Sequence, residues 1–394
     1  MRPAASRNWR ACACTGICKG PVGDVLLVSS LLLALAATVA AGNAAAKDGR
    51  EAAPSPLAPL PTLGQPPKAE RAALGKLLFF DLRLGGDGSI GCASCHDPDK
   101  GWADGLHLSR GYPGSLYFRN TPTVLNAVHG RYLYWDGRLP ASDLPTVVRD
   151  HISEAHFMNA DGRLLVERLR QIPTYDDGFK RAFGGEPTYG RILQAVTAYL
   201  KTLRSRNVPF DRYLRGDQSA ISAPARRGLT LFTGKAGCIQ CHDGAMLSDG
   251  SFHNLGLPAS RDIFATPERH ITFRRFFKIL GVSAYAELRQ DVGRYAISKR
   301  DGDRGRFRTP TLREVSNTAP YMHDGSINLL EDVIEFYDRG GGPGADKDPL
   351  LRPLRLTETE KSDLVEFLRG LAGSPIRVEG VEMPPYALRA RGQR

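Results

Sequence analysis

The sequence predicts a mostly α-helical protein made of two copies of one domain, and three observations carry that expectation. The pentad Cys-x-x-Cys-His occurs twice, as Cys92-Ala93-Ser94-Cys95-His96 and as Cys238-Ile239-Gln240-Cys241-His242, 146 residues apart. Flanking segments recur around both copies in the same order, which is the mark of an internal repeat. Each copy is followed downstream by apolar residues at helical spacing.

The pentad carries specific chemistry. Two cysteines separated by two residues can form thioethers to the two vinyl groups of one porphyrin, with the following histidine as axial ligand of its iron. A zinc knuckle or a thioredoxin-type pair also contains Cys-x-x-Cys. A structural zinc needs four ligands, usually two such pairs packed together, and a redox pair does not need the adjacent histidine. Two complete pentads therefore point to two covalent c-type haems, one per domain: Cys92, Cys95 and His96 on the first, Cys238, Cys241 and His242 on the second.

In chain order, residues 1–46 read as an export signal. Arg2, Arg7, Arg10 and Lys19 precede an apolar run from Val25 to Ala41 that ends in Ala44-Ala45-Ala46. Small residues at that point suit cleavage, with a retained membrane anchor as the alternative. Export implies a periplasmic protein. Cys12, Cys14 and Cys18 lie in this leader and the other four cysteines in the pentads, so the mature chain has no cysteine left for a disulfide. Residues 47–67 are proline-rich and read as an extended linker, with folded sequence expected from Lys68.

Two cytochrome c-like haem domains are expected at 68–215 and 216–375, with a loosely held tail at 376–394. In the first, a helix from Ala69 carries Gly75-Lys76-Leu77-Leu78-Phe79 and a glycine-rich loop leads to Cys92. In the second, Gly228-Leu229-Thr230-Leu231-Phe232 leads to Cys238 in the same way. Downstream, Phe118-Arg119-Asn120-Thr121-Pro122 is echoed by Phe307-Arg308-Thr309-Pro310. Trp135-Asp136-Gly137-Arg138 is echoed by His323-Asp324-Gly325-Ser326, and each turn is followed by a helix, Leu144 to His151 and Leu329 to Asp338. Between the halves, Leu164–Ile172 and Arg191–Leu203 have helical spacing, with Leu193, Val196, Tyr199, Leu200 and Leu203 as core. The basic, aromatic stretch from Ser260 to Asp303 is open to two readings, a helix near haem carboxylates or a docking face. A last helix is expected from Glu358 to Leu371, capped by Thr357.

Lys plus Arg is 53 and Asp plus Glu is 42; removing the leader's four basic residues and Asp24 leaves a net +8. Haem carboxylates would offset about half of this, which argues against a nucleic-acid partner and for an acidic protein surface.

Taken together, LGKLLFFDLRL, CASCH, FRNTPTVLNA, YWDGR, CIQCH, FRTPTLREV and APYMHDGS resemble the di-haem cytochrome c peroxidase and MauG family over residues 68–372. The resemblance implies that hydrogen peroxide reacts at the first haem while the second passes electrons. Trp135 would lie between the haems, and a calcium ion would be held by Asn120, Thr318 and Pro320. A small cytochrome, a cupredoxin or a protein substrate would be the electron donor. The assembly state, homodimer included, stays open.

At the second haem, the position of the peroxidases' methionine ligand holds Tyr337, as in the MauG branch. An anionic oxygen ligand stabilises oxidised iron, so this haem would store oxidising equivalents. Met322 and Met246 are the alternatives. At the first haem the chain departs from the family: matching Met158 to the family's methionine places Phe157 at its acid-base glutamate, and phenylalanine moves no proton. The distal histidine of the resting peroxidases also has no counterpart between Ser109 and Phe118. His151, Glu154 and His156 are the candidates for proton transfer, or one of the histidines ligates the iron, or Phe157 makes a dry pocket for a small ligand. His107, His129, His253 and His270 receive no role. The leading reading is a peroxidase-type oxidoreductase; a non-enzymatic electron carrier or small-ligand sensor is the alternative.

Overall fold

The computed structural model describes residues 53–385, so the expected leader, with Cys12, Cys14 and Cys18, lies outside the described residues. Among the described residues no helix is long and apolar enough to cross a membrane. The chain is mostly helical. In order, the helices are α1 (Ala69–Phe80), α2 (Leu144–Ser153), α3 (Gly162–Arg170), α4 (Pro173–Phe183), α5 (Tyr189–Leu200), α6 (Pro209–Leu214), α7 (Ala223–Thr233), α8 (Pro267–Ile279), α9 (Tyr295–Ser298), α10 (Leu330–Asp338) and α11 (Glu358–Arg369). Two short antiparallel ribbons accompany them. β1 (Tyr132–Leu133) pairs with β2 (Leu139–Pro140), and β3 (Phe252–His253) with β4 (Phe307–Arg308) in the register Phe252 to Arg308.

Two helix crossings organise the molecule. In α1, Leu74, Gly75, Leu78 and Phe79 share one face because they repeat at one-turn spacing, and that face is buried. It meets α5 so closely that a Cβ on Gly75 would stand 1.9 Å from the Ala195 carbonyl oxygen. In α7, Gly228 meets α11 in the same manner, 2.0 Å from the Asp363 carbonyl oxygen. Only a residue without a side chain lets two helix backbones touch.

Three apolar clusters result. The first gathers α1 to α5 around Leu78, Leu84, Ile152, Leu169, Phe179 and Ile192. The second gathers α6, α7, α10 and α11 around Phe210, Phe232, Leu247, Leu364 and Leu371. It already includes Val208, ahead of the expected boundary at 216. The third joins Leu108, Tyr117 and Phe118 to Phe273, Phe276 and Phe277 of α8. The basic stretch after Ser260 thus contains a helix whose aromatic face is core.

The ends of the described chain differ from expectation. Residues 53–67 form no helix or strand, as so many prolines require, yet they are held in place. The Leu60 amide donates to Asp211 Oδ2 at 3.2 Å, the Ser55 amide to Asp243 Oδ2 at 2.7 Å, and Arg313 donates to the Ala58 carbonyl. Proline removes backbone donors but leaves carbonyls and the intervening amides free to bond side chains. Past residue 375, Ile376 and Val378 pack on the first cluster, and Arg83 Nη1 donates to the Pro384 carbonyl at 2.8 Å. The helix at Thr357 begins as expected, with Thr357 and Glu360 capping each other reciprocally, but ends two residues early, at Arg369 before Gly370.

Candidate functional site

Each pentad forms a single 3-10 turn, Cys92–Ser94 and Cys238–Gln240. The amide of His96 donates to the Cys92 carbonyl at 3.0 Å and that of His242 to the Cys238 carbonyl at 2.9 Å, which keeps both cysteines and the histidine on one side of the turn. All four thiols are free. Burial pushes the Cys92 and Cys238 thiols up to about 12 and Cys95 up to about 11. His96 Nδ1 lies 3.1 Å from the Trp102 carbonyl, and His242 Nδ1 lies 3.0 Å from the Leu247 carbonyl. A carbonyl only accepts, so Nδ1 carries the proton and Nε2 is left with its lone pair. A backbone partner on the far nitrogen is the usual device that orients a metal-binding imidazole. Burial also lowers the pKa of both rings and keeps them neutral.

Beside the second pentad lies a cavity of about 430 Å³, within the size range of cofactor sites. Cys238, Cys241, His242, Tyr337 and Met322 line it; Met246 does not. Tyr337 sits on α10, and burial, together with the nearby Cys241 and Cys238, pushes its hydroxyl pKa up. Asn120, Thr318, Pro320 and Trp135 line the same cavity, so residues from both halves of the sequence meet there. Trp135 Nε1 donates to the Asn120 carbonyl at 2.9 Å, and the Asn120 amide donates to the His323 carbonyl at 2.8 Å.

Around the first pentad, His96 faces the end of α2. The His151 ring centre lies 6.2 Å from that of His96. His151 lies nearly parallel to two neighbouring rings, Phe157 (4.4 Å, 10°) and Tyr134 (5.4 Å, 9°), which are 6.4 Å from each other. Its Nδ1 lies 2.8 Å from the Val147 carbonyl and 3.1 Å from the Tyr134 hydroxyl. Burial, reinforced by His96, pushes its pKa down to about 3. His156 stacks on Tyr117 at 5.2 Å and its Nε2 lies 2.8 Å from Glu154 Oε2. Burial outweighs that contact and lowers the His156 pKa; on Glu154 burial is outweighed by His156, and the carboxyl is held below its usual range. His151, Glu154, His156 and Phe157 are thus brought together on one segment.

The pentads and their surroundings fit porphyrins carrying carboxylates. Trp102 Nε1 and Arg313 Nη1 are buried donors with no partner among the described residues; Trp102 holds the first histidine and Arg313 lines the second cavity. A buried donor of this kind calls for an acceptor.

A sequence model described as di-haem cytochrome c peroxidase matches residues 69–219. Over 356 residues the chain is 46% identical to the cytochrome-c peroxidase IdrP2 of Pseudomonas sp. (strain SCT), covering 90% of this chain and 94% of that one. The chain belongs to the di-haem cytochrome c peroxidase family. It is also 39% identical over 317 residues to the methylamine utilization protein MauG of Methylorubrum extorquens, covering 80% and 82% of the two chains. Among solved structures, a MauG-like protein associated with microbial copper homeostasis matches with a TM-score of 0.68 and 28% identity, over 86% of this chain and 98% of that one. As a di-haem peroxidase the chain is an oxidoreductase that takes two haems.

Sequence reasoning missed two features of this di-haem site. His253 lines the second cavity with Nε2 at 2.9 Å from Asp249 Oδ2 and Nδ1 at 2.6 Å from Asp348 Oδ2. Burial opposes its charge, but hydrogen bonding to Asp249, Cys241 and Asp348 raises its pKa to about 11. Cys241, Asp249 and His253 have metal-ligand spacing, yet Cys241 belongs to the pentad, so they do not make a separate centre. The second feature is the buried pair of arginines on Asp136. Arg119 bonds both Asp136 and Asp291 at 2.6 Å, and Arg138 reaches Asp136 at 3.1 Å. Phe-Arg and Asp-Gly-Arg were visible in the repeat; nothing in one sequence paired them.

Proposed function

We propose that the protein is an exported di-haem peroxidase of the MauG-like type that reduces hydrogen peroxide at the first haem and takes electrons from an external donor through the second. The observation that carries this reading is the pair of neutral, backbone-oriented histidines, His96 and His242, each beside two free thiols, with Trp135 bonded to Asn120 of one half and Arg308 of the other. Cys92 and Cys95 bind one haem covalently, and Cys238 and Cys241 the other. Bound haem supplies a redox-active iron whose potential follows its axial ligand. The chain's own residues do the rest. Trp102 and Arg313 receive haem carboxylates. Trp135 offers an oxidisable indole on the electron path. On the side of the first haem opposite His96, Glu154 and His156 are the groups able to hold or move a proton, since Phe157 cannot, and His151 is able to do so only when it is not bound to iron. Tyr337 ligates the second iron, and Asn120, Thr318 and Pro320 hold a calcium ion. The matched helix crossings at Gly75 and Gly228 support duplication of one haem domain. A small cytochrome, a cupredoxin or a protein side chain is the donor, met outside the cytoplasm.

The test uses holoprotein carrying one reducing equivalent. Peroxide should change the first haem's spectrum and be consumed in proportion to a reduced small cytochrome. Unchanged spectra and no turnover overturn the reading.

A further inference from the structure

Three described histidines share one arrangement. His96, His242 and His151 are half-buried and each has Nδ1 against a backbone carbonyl, at 3.1, 3.0 and 2.8 Å, with the Tyr134 hydroxyl also 3.1 Å from the His151 Nδ1. The remaining described histidines with ring hydrogen bonds or ion contacts use side-chain partners instead: His107 with Asn328, His129 with Arg204, His156 with Glu154, and His253 with two aspartates. The shared arrangement fixes the tautomer. With Nδ1 protonated toward Val147, the His151 Nε2 lone pair is free to bind a metal.

Position agrees with tautomer. Two imidazoles on opposite sides of one metal, each with a metal–nitrogen bond of about 2 Å, have ring centres roughly 6 Å apart. His96 and His151 are 6.2 Å apart. The His151 ring also packs beside two rings, Phe157 at 4.4 Å and Tyr134 at 5.4 Å, both within about 10° of parallel. A glutamate at position 157 would be unsuited to that stack, whereas a phenyl ring completes it.

We propose that His151 is the sixth ligand of the first haem iron, on the face opposite His96. This rests on the reading that Cys92, Cys95 and His96 hold that haem. It accounts together for two departures from the family: the ligand comes from α2 and not from the stretch between Ser109 and Phe118, and Phe157 serves as the wall that fixes it. His151 then closes the first iron to peroxide in the resting protein and must leave before the iron can react.

The experiment is electron paramagnetic resonance and magnetic circular dichroism on the ferric holoprotein, after haem counting by mass. Two haems per chain and a low-spin, bis-imidazole first haem are expected. His151→Gly should lose that low-spin signal and gain a high-spin one, free imidazole should restore it, and His156→Ala should leave it in place. A high-spin first haem in the unaltered protein, or a low-spin signal that survives His151→Gly, overturns the ligand and leaves the haem attachment standing. One haem per chain overturns both. Should the glycine variant fail to fold, His151→Met fills the same space and should show a methionine–iron charge-transfer band; an unaltered spectrum in that variant also overturns the proposal.

Discussion

Arg119 is almost wholly buried and bonds two carboxylates, Asp136 and Asp291, that lie 155 residues apart in sequence. Among the described residues, removing it leaves Asp291 without its ion-pair partner and Asp136 with one of its two, Arg138. Arg119→Met should therefore destabilise the protein by about 3–5 kcal/mol, read by urea unfolding of the holoprotein. The same residues set a pH dependence. Burial would raise the Asp136 pKa, but Arg138 and Arg119 hold it below the ordinary value. A carboxyl with a depressed folded pKa contributes stability above its unfolded pKa of about 3.9, and loses it as pH falls through the folded value. Asp136→Asn should flatten the stability–pH curve below about pH 4 and leave its shape near neutrality unchanged; an unchanged acid limb would show that Asp136 does not titrate there. At the second cavity, Tyr337→Met replaces an oxygen donor by a thioether. The second haem's reduction potential should rise in spectroelectrochemistry, and no shift would remove Tyr337 as ligand.

At the scale of helices, the two crossings decide where the pentads sit. α7 leads directly into Gly234 and the turn at Cys238, so any displacement of α7 from α11 moves the second pentad. Gly228→Ala places a methyl 2.0 Å from the Asp363 carbonyl and forces the helices apart. A loss of roughly 1–3 kcal/mol is expected by urea unfolding, with weaker retention of the second haem than the first. Helices with regular apolar spacing were legible: α1 around Leu78 and Phe79, α2, α3, α5 through Val196, Tyr199 and Leu200, α10, and the start of α11 from its cap Thr357. α4 was not. Proline and glycine ordinarily interrupt helices, yet Pro173 sits at the first turn, where its missing amide costs nothing, and a Cβ on Gly178 would stand only 3.1 Å from Leu74 Cδ1.

Across the whole molecule, the two halves are joined by more than their pentads. The third apolar cluster, the Arg119 ion pairs and the cavity lined by both Trp135 and Tyr337 all draw on distant segments. The strap before Lys68 adds to this. Asp211 accepts from Leu60 and from Arg313, and Arg313 also reaches the Ala58 carbonyl. Starting the chain at Lys68 should expose Asp211 and Arg313 and speed hydrogen exchange in α6 and α7 while α1 and α5 stay protected; uniform protection would show that the strap is dispensable. The two Cys-x-x-Cys-His pentads, the helices around them and the family were legible along the chain, because these depend on spacing and on residue type. The sequence also marked Phe157 as a departure. What faces what emerged only from the packing of the helices: His151 near His96, His253 between two aspartates beside Cys241, and Arg119 between Asp136 and Asp291. The reason is physical. Helical periodicity and turn chemistry act over a few residues, whereas a shared metal face or a buried charge pair is set by how helices cross, and no local pattern records that.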